Sequence, residues 1–270
     1  MLKELHLLAS RFKAVATFNG ASFDLPLLRT RALLSRLEHP WDNLVSWDLL
    51  VPARRLWGRR LENCRQQSVE AGICNLWRDQ RDIAGSLIPQ TWFEFLQQGR
   101  WEDLLRVLYH NQRDMVGMAH IFNEVVSLAR VVRNPDKAGK MDWYQAWALG
   151  RISENSLEVE LSLNWFQQAR LAAEMVPGGF ADKRFVADAV RVLKRGGDWA
   201  VVENVIACAL ENGQNDDWLH REAAILYEHR LVDLTRALHH ARYAGEEHRL
   251  NRLLRKLETL EWKPDPEDLN

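Results

Sequence analysis

Apolar and polar positions alternate with different periods along this chain, and each change of period marks an element. Residues 2–8 space their leucines as an amphipathic helix does, whereas residues 14–18, Ala-Val-Ala-Thr-Phe, form a short apolar run that predicts a strand. Residues 25–37 predict a second helix and residues 44–50 a second strand. Short helical stretches at 52–62 and 66–73 lead to a loop over 82–89. A helix is predicted at 91–97, and a long one from about 101 to 131, where Leu104, Leu105, Leu108, Met115, Met118, Phe122 and Val125 keep an apolar stripe. Residues 133–140, Arg-Asn-Pro-Asp-Lys-Ala-Gly-Lys, combine Pro, Gly and charge as a linker does. Beyond it every period is helical. Residues 193–210 and 226–243 read as rough copies, with Leu193 against Tyr227, Ala200 against Leu234 and Ala207 against Ala241 at a spacing of 34. That period predicts a tetratricopeptide-type stack of helix pairs, with an irregular helical array as the alternative.

Composition narrows the class. The 270 residues suffice for one large or two ordinary domains, and 47% hydrophobic content can fill real cores. Twelve tryptophans are an enrichment, and core packing is favoured over base stacking as their role. Cys64, Cys74 and Cys208 form no C-x-x-C pair, so neither a disulfide framework nor a zinc site is expected, and a reducing, cytoplasmic location fits. No run of 18 apolar residues occurs, which argues against a membrane span.

The net charge of −1 conceals an asymmetry: residues 1–140 hold 20 Lys plus Arg against 15 Asp plus Glu, and the remainder 16 against 22. Only the basic half is expected to meet phosphate. Its densest cluster contains Arg54, Arg55 and Arg59. On a helix Arg55 and Arg59 share a face, which reads equally as a phosphate-tracking stripe or as a solvated face.

Two constellations carry possible chemistry. Asn19-Gly-Ala-Ser-Phe-Asp24 joins the first predicted strand to the second helix, and a carboxylate at such a turn is well placed for a hard divalent cation. In the long helix His110 and Asp114 lie four apart and so face the same way. There Asp114 could ligate a metal while His110 accepts a proton from an attacking water.

Together these segments resemble the second and third motifs of the DnaQ-like, ribonuclease-H-like 3′-5′ exonucleases, and the match is nearest to the bacterial YprB-like ribonuclease-H-like domain. The resemblance rests on Thr17-Phe-Asn-Gly20 with Phe23-Asp24, Asp48-Leu-Leu50 with Ala53-Arg-Arg-Leu-Trp57, Asp82-Ile83 with Gly85 and Ile88-Pro89, and His110-Asn111 with Asp114. Tyr227-Glu-His-Arg-Leu-Val-Asp233 looks like part of the tetratricopeptide-like tail that such proteins often carry. The resemblance implies an α/β ribonuclease-H-like domain over 1–132, a linker over 133–140 and an all-α repeat domain over 141–265. It also implies hydrolysis at a single-stranded nucleic-acid 3′ end, with Mg²⁺ or Mn²⁺ held by Asp24, Asp114 and an upstream pair of acids. Asp24, His110 and Asp114 would be the catalytic residues. Asn19 with Arg54, Arg55 and Arg59 would contact nucleic acid, and Asn19 is expected to order its turn rather than catalyse. Asp48 matches a family position, although capping a strand end is the stronger reading.

The family's first-motif Asp-x-Glu has no counterpart here, since Glu4 is the sole acid before Ala14. Two remaining carboxylates are poorly suited to two divalent ions, and two parallel strands leave an apolar edge unpaired. The domain is therefore expected to be incomplete, lacking its first strands and first motif, through truncation, a late start or pairing with another piece. As this chain it is expected to lack activity. A noncatalytic nucleic-acid-binding module and a helical scaffold with a protein partner are the alternatives.

Overall fold

A computed structural model describes residues 2–37 and 43–261. The chain folds as two compact units, Met1–Ala138 and Gly139–Asn270. Residues 262–265 of the expected repeat domain lie outside the described residues.

The first unit opens with α1 (Leu2–Ala9), β1 (Ala14–Thr17), α2 (Asp24–Leu34) and β2 (Val45–Asp48). The strands pair in parallel, Ala14 opposite Val45 through Thr17 opposite Asp48. They are the only sheet among the described residues. On β2, Trp47 stacks against Phe122 with ring centroids 5.4 Å apart, yet Val45 and Trp47 remain half-exposed or more. After β1 the chain turns through Asn19, whose φ of 65° is left-handed. Gly20 is required there, because a Cβ would lie 2.4 Å from that of Thr17.

Three predicted elements end elsewhere than expected. The second strand stops at Asp48 because α3 (Leu50–Trp57) begins two residues later, with the Asp48 carboxylate accepting the Leu50 N–H. The helix expected over 52–62 ends at Trp57, before Gly58. The loop expected over 82–89 instead passes into α5 (Ile88–Gln98), since Pro89 lacks only an N–H that a first helical turn does not use. α4 (Gln66–Gly72) and α6 (Glu102–Val131) complete the unit.

The second unit is a run of helices: α7 (Trp143–Asn155), α8 (Val159–Glu174), α9 (Lys183–Gly196), α10 (Trp199–Glu211), α11 (Asp217–Leu226), α12 (Leu234–Tyr243) and α13 (Glu247–Glu261). Each packs on the next. Asp142, Asp182, Asp198, Asp216 and Asp233 cap α7, α9, α10, α11 and α12, each accepting a backbone N–H from the first turn. A π-helical turn, Tyr227–Leu231, follows α11 and leads into α12. The core is aromatic and small: Trp147, Trp165, Phe166 and Phe185 interleave with fully buried alanines at 169, 189, 209 and 223. Among the described tryptophans the deepest, Trp57, Trp147 and Trp165, are core, whereas Trp77, Trp92 and Trp101 are exposed. Among the described residues no helix is long and apolar enough to cross a membrane.

Candidate functional site

Two groups of polar side chains shape the first unit. In the first, Asp48 at the end of β2 accepts the N–H groups of Asn19 (2.7 Å), Ala21 (3.1 Å) and Leu50 (3.1 Å). One carboxylate thus fixes both strand ends and the turn that precedes Asp24. Asn19 takes part through its backbone, so its place is in ordering the turn.

Asp24 begins α2, where its charge complements the helix amino terminus. Its side chain is exposed and makes no hydrogen bond or ion pair among the described residues. Arg54 and Arg55 are exposed on α3, whereas Arg59 falls in the turn after Trp57. The expected stripe is therefore corrected: one helix does not carry Arg55 and Arg59, because Gly58 ends it.

The second group is tighter. α4 buries Glu70 to 3% exposure on the face that meets α6. A buried carboxylate demands partners, and Arg78 supplies them. Its Nε donates to Glu70 Oε2 at 2.9 Å, its Nη2 to Glu70 Oε2 at 2.8 Å and to Asp114 Oδ1 at 2.5 Å, and its Nη1 to Asp82 Oδ2 at 3.2 Å. Gln66 donates from Nε2 to Glu70 Oε1 at 2.8 Å and to the Asp114 carbonyl at 2.7 Å. The approach of the two helices is possible only because residue 117 is glycine: a Cβ there would sit 1.8 Å from Glu70 Oε1.

His110 lies within this network. Its Nδ1 is 2.7 Å from Asp82 Oδ1, and its Nε2 is 3.3 Å from Asp114 Oδ2 across one helical turn. A neutral ring donates to one of these carboxylates, whereas a protonated ring satisfies both. Burial pushes the Asp82 carboxyl up, but hydrogen bonds from His110 and Arg78 outweigh it and hold the group below the usual aspartate range. Burial opposes the charge on Arg78, yet its bonds to Asp114 and Glu70 prevail and raise its pKa. Nearby, Tyr109 donates to Asp79 at 2.9 Å and lies beneath the Arg81 guanidinium, away from Asp114.

Of the three residues expected to act together, the structure joins His110 and Asp114, and among the described residues no hydrogen bond or ion pair joins Asp24 to either. Glu70, Arg78 and the role of Asp82 escaped sequence reasoning. One signal was present: Glu70 follows Val69 on the face of a short helix that must be buried.

Comparison with known proteins places this geometry. Residues 1–126 match the family model of the RNase_H superfamily. The amino-terminal region is thus a ribonuclease-H-like domain, and Glu70, Arg78, Asp82, His110 and Asp114 all lie within the match. The chain is also 29% identical over 184 residues to the uncharacterized protein YprB of Bacillus subtilis (strain 168), covering 61% of this chain and 44% of that protein. The chain thus spans less than half the length of this curated relative. No solved structure gives a significant match.

Members of this superfamily typically use divalent metal ions, but the residues here do not fit one. No group of three or more His, Cys, Asp or Glu side chains among the described residues could hold a metal ion. Asp114, the expected ligand, gives one oxygen to Arg78 and the other to His110. Asp24, the other expected ligand, makes no hydrogen bond or ion pair with this cluster among the described residues.

Proposed function

We propose that this chain is a nucleic-acid-binding member of the ribonuclease-H-like group, related to 3′-5′ exonucleases, and that by itself it does not hydrolyse phosphodiesters appreciably. The observation that carries this reading is the Arg78 guanidinium 2.5 Å from Asp114 Oδ1. An internal cation neutralises the carboxylate on which metal-dependent chemistry would depend. The Asp82–His110 pair keeps the form of an oriented base, a carboxylate fixing one imidazole nitrogen while the other points across the helix turn. Positioning of a single-stranded 3′ end would fall to the basic surface that includes Arg54 and Arg55. Incubation of a 3′-labelled single strand with the chain and Mn²⁺ or Mg²⁺ tests the reading. Binding without shortening is expected. Mn²⁺-dependent shortening that Asp24→Ala abolishes would refute it.

A helical-repeat scaffold is the reading for the second unit. It is supported by the recurrence of its capping aspartates, Asp182 and Asp216 being 34 residues apart and Asp198 and Asp233 being 35 apart. That spacing suits a tetratricopeptide-like array of hairpins with a surface for a protein partner. Truncation within a loop between hairpins should then leave the preceding hairpins folded, as read by circular dichroism; complete unfolding would refute the array.

A further inference from the structure

Counted by halves, charge points phosphate away from the second unit, but counted by faces it does not. Glu228, in the π-helical turn, has no exposed side-chain surface and is held by three cations of α13: Arg249 at 2.7 Å, Arg252 at 2.6 Å and Lys256 at 2.7 Å. One buried carboxylate cannot neutralise three positive groups, although Glu246 adds a second carboxylate for Arg249 at the start of the helix. Arg252 and Lys256 remain nearly half exposed, so the surplus reaches the surface.

The same helix lines a shallow concavity with His248, Asn251, Arg252, Arg255, Lys256 and Thr259. Their spacing is one helical stripe, about 16 Å long at 1.5 Å per residue. Every side chain on it can donate a hydrogen bond and none is acidic. The acids of α13 nearest to it, Glu247 and Glu258, lie on neighbouring rows of the helix. Arg255 is exposed and has no carboxylate partner among the described residues. Leu253, fully buried, lies on the opposite side of the helix from the stripe.

We propose that this stripe of α13 is a second nucleic-acid contact, binding successive backbone phosphates of a single strand. Guanidinium, ammonium, amide and hydroxyl groups are side-chain donors that phosphate and sugar oxygens accept from. A membrane surface would call for apolar residues beside the charges, and the stripe has none. Glu228 serves as the internal anchor: by holding Arg252 and Lys256 it fixes their direction before a ligand arrives, which lowers the ordering cost of binding. The site is independent of the Arg78 network.

Anisotropy of a labelled single-stranded oligonucleotide, titrated with the full chain at several salt concentrations, tests this. Arg255→Gln should weaken binding several-fold and reduce the slope of log affinity against log salt by about 0.7, the loss of one phosphate contact on a single strand. Arg255→Glu should weaken it further and Arg255→Lys should retain most of it. Unchanged affinity and slope in Arg255→Glu overturn the proposal, as does a chain that binds anionic phospholipid vesicles through Arg255 while strand binding ignores the substitution. The double variant Arg54→Gln, Arg55→Gln separates this site from the first unit: its loss of affinity should add to that of Arg255→Gln. If only the double variant weakens binding, the first-unit reading stands and this one falls. If only Arg255→Gln does, the reverse holds.

Discussion

The two units bury charge in opposite proportions. In the first, three carboxylates, Glu70, Asp82 and Asp114, share one guanidinium and one imidazole; in the second, one carboxylate, Glu228, is shared by three cations. A cluster with surplus carboxylates draws positive charge inward and holds it, and Arg78 fills that role. A cluster with surplus cations turns its excess outward, toward phosphate. The surroundings differ in the same sense. Ten apolar residues are buried in the first unit and 28 in the second, among the described residues. The first unit therefore depends more heavily on its ion network, whereas the second is held by core packing and capped helices.

The largest effect should come from removing the hub of that network. Arg78→Ala leaves Glu70 buried with only Gln66 as a partner, and stranding one side of a buried pair costs about 3–5 kcal/mol. In a two-step melt of the full chain, the first-unit transition should fall or vanish while the second is unmoved. Equal loss from both would break the comparison.

Acid should act on the second unit through its histidines. His220 and His240 approach nitrogen to nitrogen at 2.8 Å, with Asn215 on the far side of His220, Tyr227 and His239 against His240, Arg236 nearby and Asp216 and Asp217 toward His220. Burial first, then the neighbouring positive groups, lowers the His240 pKa from 6.5 to about 4. The folded state thus favours the neutral ring. Stability from this ring is complete above pH 6.5, declines as pH falls and is fully lost below about 4, on the order of 3 kcal/mol in all. Melting of the second unit between pH 7 and 4 should show that decline, and His240→Gln should flatten it. An unchanged slope in the variant would remove the histidine pair from the account. Burial pushes the Glu228 carboxyl up, but its cations hold it down to about 2, so its own loss of stability begins only as pH falls to about 4.5 and overlaps the acid end of this window.

Gly117→Ala sharpens the first half of the comparison. The added methyl gains helix propensity but displaces the Glu70 carboxylate, for a net loss of about 1–3 kcal/mol. A stabilised variant would show that Glu70 can move freely. Asp182→Ala, which removes a cap accepting from Arg184 and Phe185, should cost only about 1 kcal/mol of the second unit.

The sequence made some of this legible. The long helix followed from its apolar stripe, the two strands from short apolar runs, and the 3.3 Å approach of His110 to Asp114 from a four-residue spacing. These depend on neighbours in the chain. Arg78 meets Asp114 across 36 residues, and Gln66, which also holds Glu70, meets the Asp114 carbonyl across 48, and nothing local announces those contacts. Asp24 carries the clearest motif but makes no hydrogen bond or ion pair among the described residues, because a helix start fixes its backbone without supplying a partner. The basic stripe of α13 was hidden for another reason. Charge summed over 130 residues averages away a face one helix wide.

Glu70, Asp82 and Asp114 are answered by Arg78 rather than by a metal. Calorimetric titration of the full chain with Mn²⁺ tests it most directly: no saturable two-site binding is predicted, and the same flat titration for Asp24→Ala. Two-site binding by the unmodified chain, lost on Asp24→Ala or Asp114→Asn, would contradict it.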